Sequence, residues 1–343
     1  MANQTYLVTG GCGFLGQYIV QAIHTHDPQA EIRVLDLKPR STLLNIESIP
    51  QVKLISGDLR QPESFASALA GVDTVVHSAG LISFKQGDSD ALRHSNIVGM
   101  ENLLQTALAH QCQTFLFISS ISAVGRQPNQ LSTETMFPEP EEKRLTDPYG
   151  YSKLCGEHLL QASADNIRGL ILNPSLILGP GSHRIAKTIH YLRWIPFCPM
   201  ITTLNSFVDV RDVAAAVVLA LEKGRSGERY LITTENMGMV PFMKMLLTGM
   251  GKKAPVFPVP TFLLNLYDFF VWLLDLLHIN PCFKKSKGFH VDKAYSTQKI
   301  TRELGWRPTY SIEHSLHDTI SFCTGEKNKD EFVRQDSIAY RRI

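Results

Sequence analysis

Short apolar runs rich in β-branched residues alternate with longer stretches of helical periodicity along the first half of this 343-residue chain. In the longer stretches, such as 14–26 and 96–111, apolar residues recur three and four positions apart, as a helix that covers a sheet requires. This alternation predicts an α/β fold, a doubly wound parallel sheet with helices on both faces. The runs that we assign to strands are 5–9, 31–36, 52–56, 73–79, 114–120 and 170–175.

Beyond residue 176 the pattern loosens. A helical stretch at 211–224 and a strand-like run at 228–234 stand between proline-containing connections. The last residues, 324–343, are polar and predict a solvated tail.

Residues 262–279 form an apolar stretch that reaches the lower length limit for spanning a bilayer. On a helical wheel its polar and apolar side chains segregate, and two aspartates argue against a span. We therefore expect a helix that lies at a membrane interface, with a packed lid helix or a dimer helix as the alternatives. The polar side is Asn265, Asp268, Asp275 and His278, the apolar side is Phe262, Leu266, Phe269, Phe270, Leu273 and Leu277, and the basic flanks are Lys252, Lys253, Lys284, Lys285 and Lys287.

Composition narrows the class of protein. A formal net charge of +2 implies no strongly basic face, so we expect no nucleic-acid partner. The six cysteines lie far apart with no C-x-x-C pair, which predicts neither a metal site nor a disulfide framework. No secretory signal pattern is visible, and we expect a cytoplasmic protein, with peripheral membrane contact as a further expectation.

The turn after the first run reads GGCGFLG. Gly11, Gly13 and Gly16 satisfy the spacing G-x-G-x-x-G ahead of a helical stretch. Small residues let the backbone approach a pyrophosphate, whose charge sits at the N-terminus of the following helix. A simple tight connection is the alternative. The predicted dinucleotide-binding turn comprises Gly10, Gly11, Gly13, Phe14, Leu15 and Gly16.

Asp36 ends the second run, twenty residues after Gly16. The dinucleotide-binding fold places an acidic residue here on the adenosine ribose hydroxyls. Because a carboxylate repels a 2′-phosphate, Asp36 favours NAD over NADP, although Lys38 or Arg40 can swing over a phosphate. An ordinary turn residue at the end of a strand is the alternative.

The segment TDPYGYSKLCGE at 146–157 contains two tyrosines and a lysine. If a helix begins after Pro148, residues four apart share a face, which sets Tyr149 beside Lys153 and turns Tyr151 away. An ammonium group beside a phenol lowers the pKa of the phenol, so we expect Tyr149 to be the acid/base. A surface tyrosine packed on a lysine stem is the alternative for an isolated Y-x-x-x-K pair.

The segment ISSISAVG at 118–125 ends the fifth run, at the edge of the sheet where ligands bind in such folds. Ser120 is our candidate for the hydroxyl that contacts a substrate oxygen, with Ser119 and Ser122 as structural alternatives. Three features favour a catalytic Tyr–Lys pair over a chance occurrence: the dinucleotide turn, the position of the pair after the fifth run, and this serine segment.

A series of segments in this order resembles the extended short-chain dehydrogenase/reductase superfamily. The segments are TGGCGFLG (9–16), Asp36, GDL (57–59), HSAG (77–80), NIVGMEN (96–102), SSISAVG (119–125), YGYSK (149–153), NPSLILGPG (173–181) and FVDVRDVA (207–214).

The resemblance implies roles for individual residues. It makes Tyr149 the acid/base, Lys153 its pKa tuner and a ligand of the nicotinamide ribose, and Ser120 the hydroxyl that polarises a carbonyl. The remaining NAD contacts that it implies are Asp58 and Leu59 at the adenine, Ala79, and Pro174 and Ser175 near the nicotinamide.

Within the superfamily the chain is most similar to the 3β-hydroxysteroid dehydrogenase branch. SSISAVG stands where sugar-nucleotide enzymes usually carry V-Y-G, and the apolar segment 262–279 suits a lipophilic substrate. Two positions depart from the family pattern: Asn173 replaces a common arginine, and HSAG replaces H-x-A-A.

The resemblance also implies a division of the chain. We expect an NAD-binding Rossmann domain at 1–175, to which later segments return. A smaller substrate-binding lid would occupy most of 176–323, including the helix 262–279, and the polar tail would follow at 324–343.

The expected function is NAD-dependent oxidation of a secondary alcohol on a steroid- or sterol-like substrate. A sugar-nucleotide epimerase or dehydratase uses the same acid/base pair and is the enzymatic alternative. A non-catalytic NAD-sensing regulator is the alternative from another class. The expected partners are a small lipophilic substrate, a membrane surface and a second copy of the chain.

Overall fold

The computed structural model describes residues 4–41, 43–84, 86–127, 130–260, 263 and 292–325. The predicted apolar helix 262–279, apart from Leu263, and residues 326–343 of the predicted tail lie outside the described residues. None of the helices in the described ranges combines the length and apolar character that a bilayer crossing demands.

Twelve strands are present in the described ranges. The first six correspond to the six predicted runs of the first half, and the tenth lies within the predicted strand-like run 228–234. The strands are β1 (Thr5–Thr9), β2 (Glu31–Asp36), β3 (Val52–Ser56), β4 (Thr74–His77), β5 (Thr114–Ile118), β6 (Arg168–Pro174), β7 (Leu176–Leu178), β8 (Cys198–Met200), β9 (Leu204–Asp209), β10 (Arg229–Ile232), β11 (Glu235–Gly238) and β12 (Val256–Pro258).

The helices cover both faces of the strands. The α-helices are α1 (Phe14–His26), α2 (Ser89–Leu92), α3 (Gly99–Ala109), α4 (Pro140–Thr146), α5 (Pro148–Gln161), α6 (His183–Leu192), α7 (Val210–Lys223), α8 (Met239–Gly249), α9 (Gln298–Leu304) and α10 (Ile312–Thr324). A π-helix covers Arg93–Val98, and short 3₁₀ helices cover Ile46–Ser48, Pro62–Ser64, Ala66–Leu69, Gln86–Asp88 and Ile121–Ala123.

Seven parallel strands form the central sheet in the order β10-β6-β5-β4-β1-β2-β3. The predicted doubly wound Rossmann fold is therefore confirmed. The central strands β4 and β5 are buried along their whole length because both faces of the sheet are covered. In β5, for example, Phe115 and Phe117 pack under α3, whereas Leu116 and Ile118 join the core on the side of α1 and α7.

Strands β4 and β5 each end two residues earlier than predicted. The serines and alanine that follow them, Ser78, Ala79, Ser119 and Ser120, leave the ladder and line a cavity. The predicted strands include these four residues because their small side chains do not interrupt the strand pattern. In the structure the chain instead turns at this point toward the ligand-binding edge of the sheet.

The second half of the chain builds a smaller unit and also returns to the large sheet. Its strands pair as β11-β9-β7 and β12-β8, and α6, α8 and α10 enclose a separate apolar core in which Phe207 and Phe242 stack at 4.2 Å. From the same half, β10 pairs with β6 and α7 packs on α1.

Candidate active site

A cavity of about 2180 Å³ runs along the carboxyl edge of the central sheet. Residues that end or follow each of the strands β1 to β6 line it, from Gly10 and Asp36 at one side to Ser120 and Ser175 at the other. The volume exceeds what one drug-sized ligand needs, roughly 300–1,000 Å³, so a dinucleotide and a second ligand both fit.

The glycine turn leaves no room for side chains. Gly10 has φ +67°, and a Cβ there would lie 2.7 Å from the Cα of Ala79, while a Cβ on Gly16 would lie 2.1 Å from the Gly10 carbonyl oxygen. Gly13 caps α1 without any side chain, so the first amide groups of that helix point at the cavity. This is a cradle that fits a pyrophosphate.

Four of the predicted turn contacts besides Gly10 line the cavity, namely Gly13, Phe14, Leu15 and Gly16. Gly11 does not. A Cβ on Gly11 would meet Val34 at 2.7 Å, so a glycine is required there by packing against β2. The predicted cofactor contact of Gly11 stays a prediction.

Asp36 faces the cavity from the end of β2. Its carboxylate accepts hydrogen bonds from the backbone N–H groups of Cys12 (3.3 Å) and Lys38 (3.4 Å). The side chains of Lys38 and Arg40 are exposed and neither residue lines the cavity. The geometry thus presents a carboxylate, and neither of these cations, to the ribose that NAD would place there.

The other predicted cofactor residues line the same cavity: Asp58, Leu59, Ala79, Pro174 and Ser175. Asp58 forms an ion pair with Arg60 at 2.6 Å, which lowers the pKa of its carboxyl group. The buried Ser175 hydroxyl has no hydrogen-bond partner within the described ranges. A buried, unpaired hydroxyl on the wall of the cavity suits a site completed by a cofactor.

Helix α5 brings the two catalytic candidates together. Asp147 caps it by accepting a hydrogen bond from the Gly150 N–H at 2.9 Å, and Pro148 occupies its first position. Tyr149 is buried and hydrogen-bonded to the Ser120 hydroxyl, whereas Tyr151 is largely outside the core and does not line the cavity. The tyrosine that the helix-face argument selects is thus the one that lines the cavity.

Lys153 lies one helical turn after Tyr149 and is buried. Its ammonium group donates to the Ile118 carbonyl oxygen at 2.8 Å and sits 4.8 Å from the centre of the Phe117 ring. Burial lowers the pKa of Lys153 to about 8, and the charge of Glu157 opposes that shift.

The pKa of Tyr149 differs in direction from the prediction. Burial raises it to about 12, and the factors that oppose burial are the Ser120 hydrogen bond and the charge of Arg184. The Lys153 ammonium group donates to the Ile118 carbonyl oxygen and is not among the groups that shift this pKa. The role of Lys153 as the group that tunes the pKa of Tyr149 stays a prediction.

The three serines after β5 have separate environments. Ser120 lines the cavity, and its Oγ accepts a hydrogen bond from the Ser122 N–H at 3.1 Å as well as contacting Tyr149. Ser119 also lines the cavity, but it is buried and its hydroxyl donates to Glu157. Ser120 is thus the serine whose hydroxyl meets the acid/base candidate.

A buried polar network supports this edge of the sheet. The Glu157 carboxylate pairs with Arg229 at 3.0 Å and accepts a 2.6 Å hydrogen bond from the Asn173 amide. Arg229 also donates to the carbonyl oxygens of Glu134 (2.6 Å) and Met136 (2.7 Å). Asn173, at the position that departs from the family pattern, therefore serves the internal network.

Sequence reasoning missed two residues of the site. The Asn96 amide group bonds both the N–H and the C=O of Leu81 and donates to the Ser152 hydroxyl, which ties the cavity loop to α5. The Phe84 ring meets the Tyr149 ring edge-on at 5.6 Å. Asn96 stood inside a quoted motif, and its polar side chain on an otherwise apolar stretch was the available signal; Phe84 had none.

Within the described residues, no three His, Cys, Asp or Glu side chains lie close enough together to hold a metal ion.

Sequence comparisons agree with this geometry. Residues 6–233 match the model of the NAD dependent epimerase/dehydratase family. Sterol demethylase protein B of Methylococcus capsulatus is 32% identical over 262 residues, which cover 75% of this chain and 77% of that protein. Human 3 beta-hydroxysteroid dehydrogenase type 7 is 31% identical over 352 residues, covering 92% of this chain and 94% of that protein.

Solved structures share the fold. A dTDP-glucose 4,6-dehydratase from Streptomyces venezuelae with NAD bound has a TM-score of 0.75 and 23% identity, covering 94% of this chain and 97% of that one. The UDP-glucose 4-epimerase of Thermotoga maritima has a TM-score of 0.75 and 21% identity, covering 94% and 99%. With its glycine cradle, ribose-facing aspartate and Tyr–Lys helix, the chain belongs to the NAD dependent epimerase/dehydratase family of extended short-chain dehydrogenases/reductases, and NAD is its cofactor.

Proposed function

We propose that the protein is an NAD-dependent dehydrogenase that oxidises a secondary alcohol of a lipophilic, steroid- or sterol-like substrate to a ketone. The observation that carries the proposal is the Tyr149–Ser120 hydrogen bond on the wall of a cavity whose outer part exposes large apolar side chains. A substrate hydroxyl group that reaches one of these two side chains also reaches the other.

The hydroxyl groups of Ser120 and Tyr149 have different roles toward the substrate. Ser120 holds the substrate oxygen, and Tyr149 takes the hydroxyl proton as the carbonyl forms. NAD, when bound, supplies the acceptor for the hydride that leaves the carbon. Because burial keeps the phenol of Tyr149 protonated at neutral pH, it needs a further positive charge at this edge to work as a base.

The outer cavity supports a lipophilic substrate. Five large apolar side chains line it, and each has more than a third of its surface exposed. Contact of this apolar surface with water costs free energy unless a ligand covers it. The five side chains are Leu81 (37%), Ile82 (53%), Phe84 (56%), Phe137 (50%) and Leu145 (71%). The similarity to a sterol demethylase protein and to 3β-hydroxysteroid dehydrogenases points the same way.

The test is a substrate panel with NAD in which 3β-hydroxysteroids and UDP-sugars are compared by NADH formation and by product analysis. We expect turnover of steroids and none of UDP-sugars, and the loss of that turnover in Tyr149→Phe. Conversion of UDP-sugars alone would replace the proposal with an epimerase or dehydratase. NAD binding without turnover of either class would favour a sensor.

A further inference from the structure

Exposed apolar side chains outside the cavity are concentrated in the smaller unit. Eight large apolar side chains of the described ranges are exposed without lining the cavity, and seven of them belong to residues 191–263. Exposed apolar residues that are scattered singly need no explanation, whereas a concentration of this kind marks an interaction surface. The seven are Tyr191, Trp194, Ile195, Phe197, Leu204, Phe257 and Leu263, and the eighth is Leu131.

Two segments bring the most exposed of these side chains together. The turn between α6 and β8 carries Trp194 and Phe197, and β8 pairs in parallel with β12, which carries Phe257. Phe257 is paired with Pro199 in this ladder, and both side chains are exposed. We call this surface the apolar face, and it comprises Tyr191, Trp194, Ile195, Phe197 and Phe257.

A lysine side chain fixes the turn that carries Trp194. The ammonium group of Lys252, which precedes β12, donates to the carbonyl oxygens of Leu192, Arg193 (2.9 Å) and Ile195 (2.5 Å). These carbonyl groups lie at the end of α6 and in the turn that follows it. Because the turn is already held in place, a partner that binds Trp194 does not have to order a loose loop.

The segments that build this face carry cations without anions. Residues 183–208 and 236–260, which contain α6, β8, α8 and β12, hold six Lys and Arg residues and no Asp or Glu. The whole chain has 34 Lys and Arg against 32 Asp and Glu, so the excess is local. Four of the six cations are exposed away from the cavity and form no ion pair within the described part of the chain, namely Lys187, Arg193, Lys244 and Lys253.

The surface of an anionic lipid bilayer matches both properties of this face. Trp and Tyr side chains favour the boundary between headgroups and acyl chains, because each ring has an apolar body and a polar group. Basic residues beside them are attracted to anionic headgroups. A second copy of the chain fits less well, since a two-fold interface pairs identical surfaces and would bring the same cations against each other.

We propose that the apolar face and the cations around it dock the protein on an anionic phospholipid bilayer, with Trp194, Phe197 and Phe257 inserted at the level of the headgroups. The contact goes beyond the proposed enzymatic function and needs no residue of the segment 262–279. It also brings the cavity close to the bilayer. Helix α6 has Thr188 on the cavity wall and Tyr191 at the apolar face, and its ten residues rise by only about 15 Å.

Quenching of tryptophan fluorescence by lipid tests the contact directly. The chain has three tryptophans, at 194, 272 and 306, and Trp306 is buried. The NAD-bound variant Trp272→Phe keeps Trp194 as an exposed reporter. Vesicles of phosphatidylcholine and phosphatidylglycerol with brominated acyl chains should quench its emission, and pure phosphatidylcholine should do so far less. The double variant Trp194→Phe, Trp272→Phe is the matched control and should show no quenching.

Cosedimentation with unbrominated vesicles measures the contribution of single side chains. Trp194→Ser and Phe257→Ser should each weaken binding by roughly tenfold or more, the fold-change for burial of one large apolar side chain. Lys253→Gln should weaken it by roughly fivefold and reduce its salt dependence. The controls are Leu131→Ser and Lys223→Gln, exposed residues outside this face, which should bind like the wild type. Thermal unfolding and NAD affinity should be unchanged in every variant, because none of these residues lines the cavity.

Three outcomes would overturn the proposal. Wild-type protein that binds no anionic vesicles contradicts it outright. If the protein binds vesicles but Trp194 is not quenched and Trp194→Ser binds normally, another surface makes the membrane contact. Light scattering without lipid covers the remaining occupant: if the wild type is a dimer that Trp194→Ser dissociates, this face is a contact between two copies of the chain.

Discussion

At the scale of single residues, burial decides the chemistry of the catalytic pair. Helix periodicity was enough to choose Tyr149 over Tyr151, because residues four apart share a face whatever surrounds the helix. The pKa values depend on the surroundings of the helix, because burial raises the pKa of Tyr149 to about 12 and lowers the pKa of Lys153 to about 8. Their environment comes from β5 and from the cavity loops, which no local pattern specifies.

Replacing the acid/base hydroxyl gives the first prediction. Tyr149→Phe should lower kcat by about 10²–10⁴-fold, the usual contribution of a positioned acid/base, while NAD affinity stays near that of the wild type. Tyr151→Phe is the matched control and should keep nearly full activity, since its side chain lies away from the cavity. If Tyr151→Phe loses activity while Tyr149→Phe keeps it, Tyr151 and not Tyr149 is the acid/base.

Asp36 should set the choice between cofactors. Its carboxylate faces the ribose position and repels a 2′-phosphate, so kcat/KM should favour NAD over NADP in the wild-type protein. Asp36→Asn should weaken that preference by improving NADP use, measured with one substrate at fixed concentration. A wild-type preference for NADP would contradict this role and direct attention to Lys38, Arg40 or Arg60.

At the scale of elements, the strands of the large sheet were predictable and those of the smaller unit were not. β1, β2 and β3 coincide with predicted runs because each is a short run rich in β-branched and other apolar residues, which is a clear strand signal. β7, β8 and β12 have only three residues each and exist through pairing with distant strands. Such short segments carry no periodicity of their own.

The β1–α1 turn gives a prediction at this scale. Gly16→Ala puts a Cβ against the Gly10 carbonyl oxygen and must displace the start of α1. Overpacking of about 1–3 kcal/mol at the cradle should weaken NAD binding by roughly 10–100-fold, measured by calorimetry. Gly87→Ala is the control, because a Cβ there meets nothing within 4 Å and no loss is expected.

The contact between β4 and β5 predicts acid sensitivity. His77 is buried, stacks on Phe117 at 5.4 Å and shares a 2.7 Å hydrogen bond with Thr9, and burial lowers its pKa to about 3. Below about pH 6.5 the imidazole of His77 takes up a proton in the unfolded chain but not in the folded protein. The free energy of unfolding therefore falls by up to about 1.4 kcal/mol for each pH unit below 6.5.

A variant isolates that contribution from other titrating groups such as Asp212, whose pKa burial raises to about 7. His77→Gln should be less stable than the wild type at pH 7, and its deficit should shrink as pH falls from 6.5 toward 4. Chemical denaturation at several pH values measures both curves. Parallel curves would show that His77 is not held neutral in the folded protein.

At the scale of the whole molecule, exposed aromatic and apolar groups gather before the apolar segment. Trp194 (80% exposed), Tyr191 (67%) and Phe197 (54%) precede β8, which pairs with β12 and places Phe257 (54%) beside it. Leu263, also exposed, begins the predicted helix. Aromatic residues of this kind favour membrane interfaces.

We predict that residues 262–279 attach the protein to one face of an anionic membrane. Crossing is disfavoured because Asp268 and Asp275 would each cost about 2.5–3.5 kcal/mol at the bilayer centre. Flotation with anionic liposomes should recover the intact protein, and combined replacement of Phe269, Phe270 and Leu273 by serine should release it without loss of NAD binding.

Leu131→Ser is the control for that experiment, since Leu131 is an exposed apolar residue outside both the segment and the cavity. It should float like the wild type. If wild-type protein stays at the bottom of the gradient at low salt, membrane attachment through 262–279 is wrong. A packed lid helix or a dimer helix would then remain as the interpretation of this segment.

The buried Glu157–Arg229 pair has a consequence for how the protein is made. As the ribosome delivers the chain, Glu157 emerges 72 residues before the arginine that neutralises it. A buried charge without its partner costs roughly 3–5 kcal/mol, a large share of the stability of an ordinary domain. The nucleotide-binding half is therefore less stable until β10 has been synthesised, and we expect a gene fragment that stops at residue 175 to yield less soluble protein than the full chain.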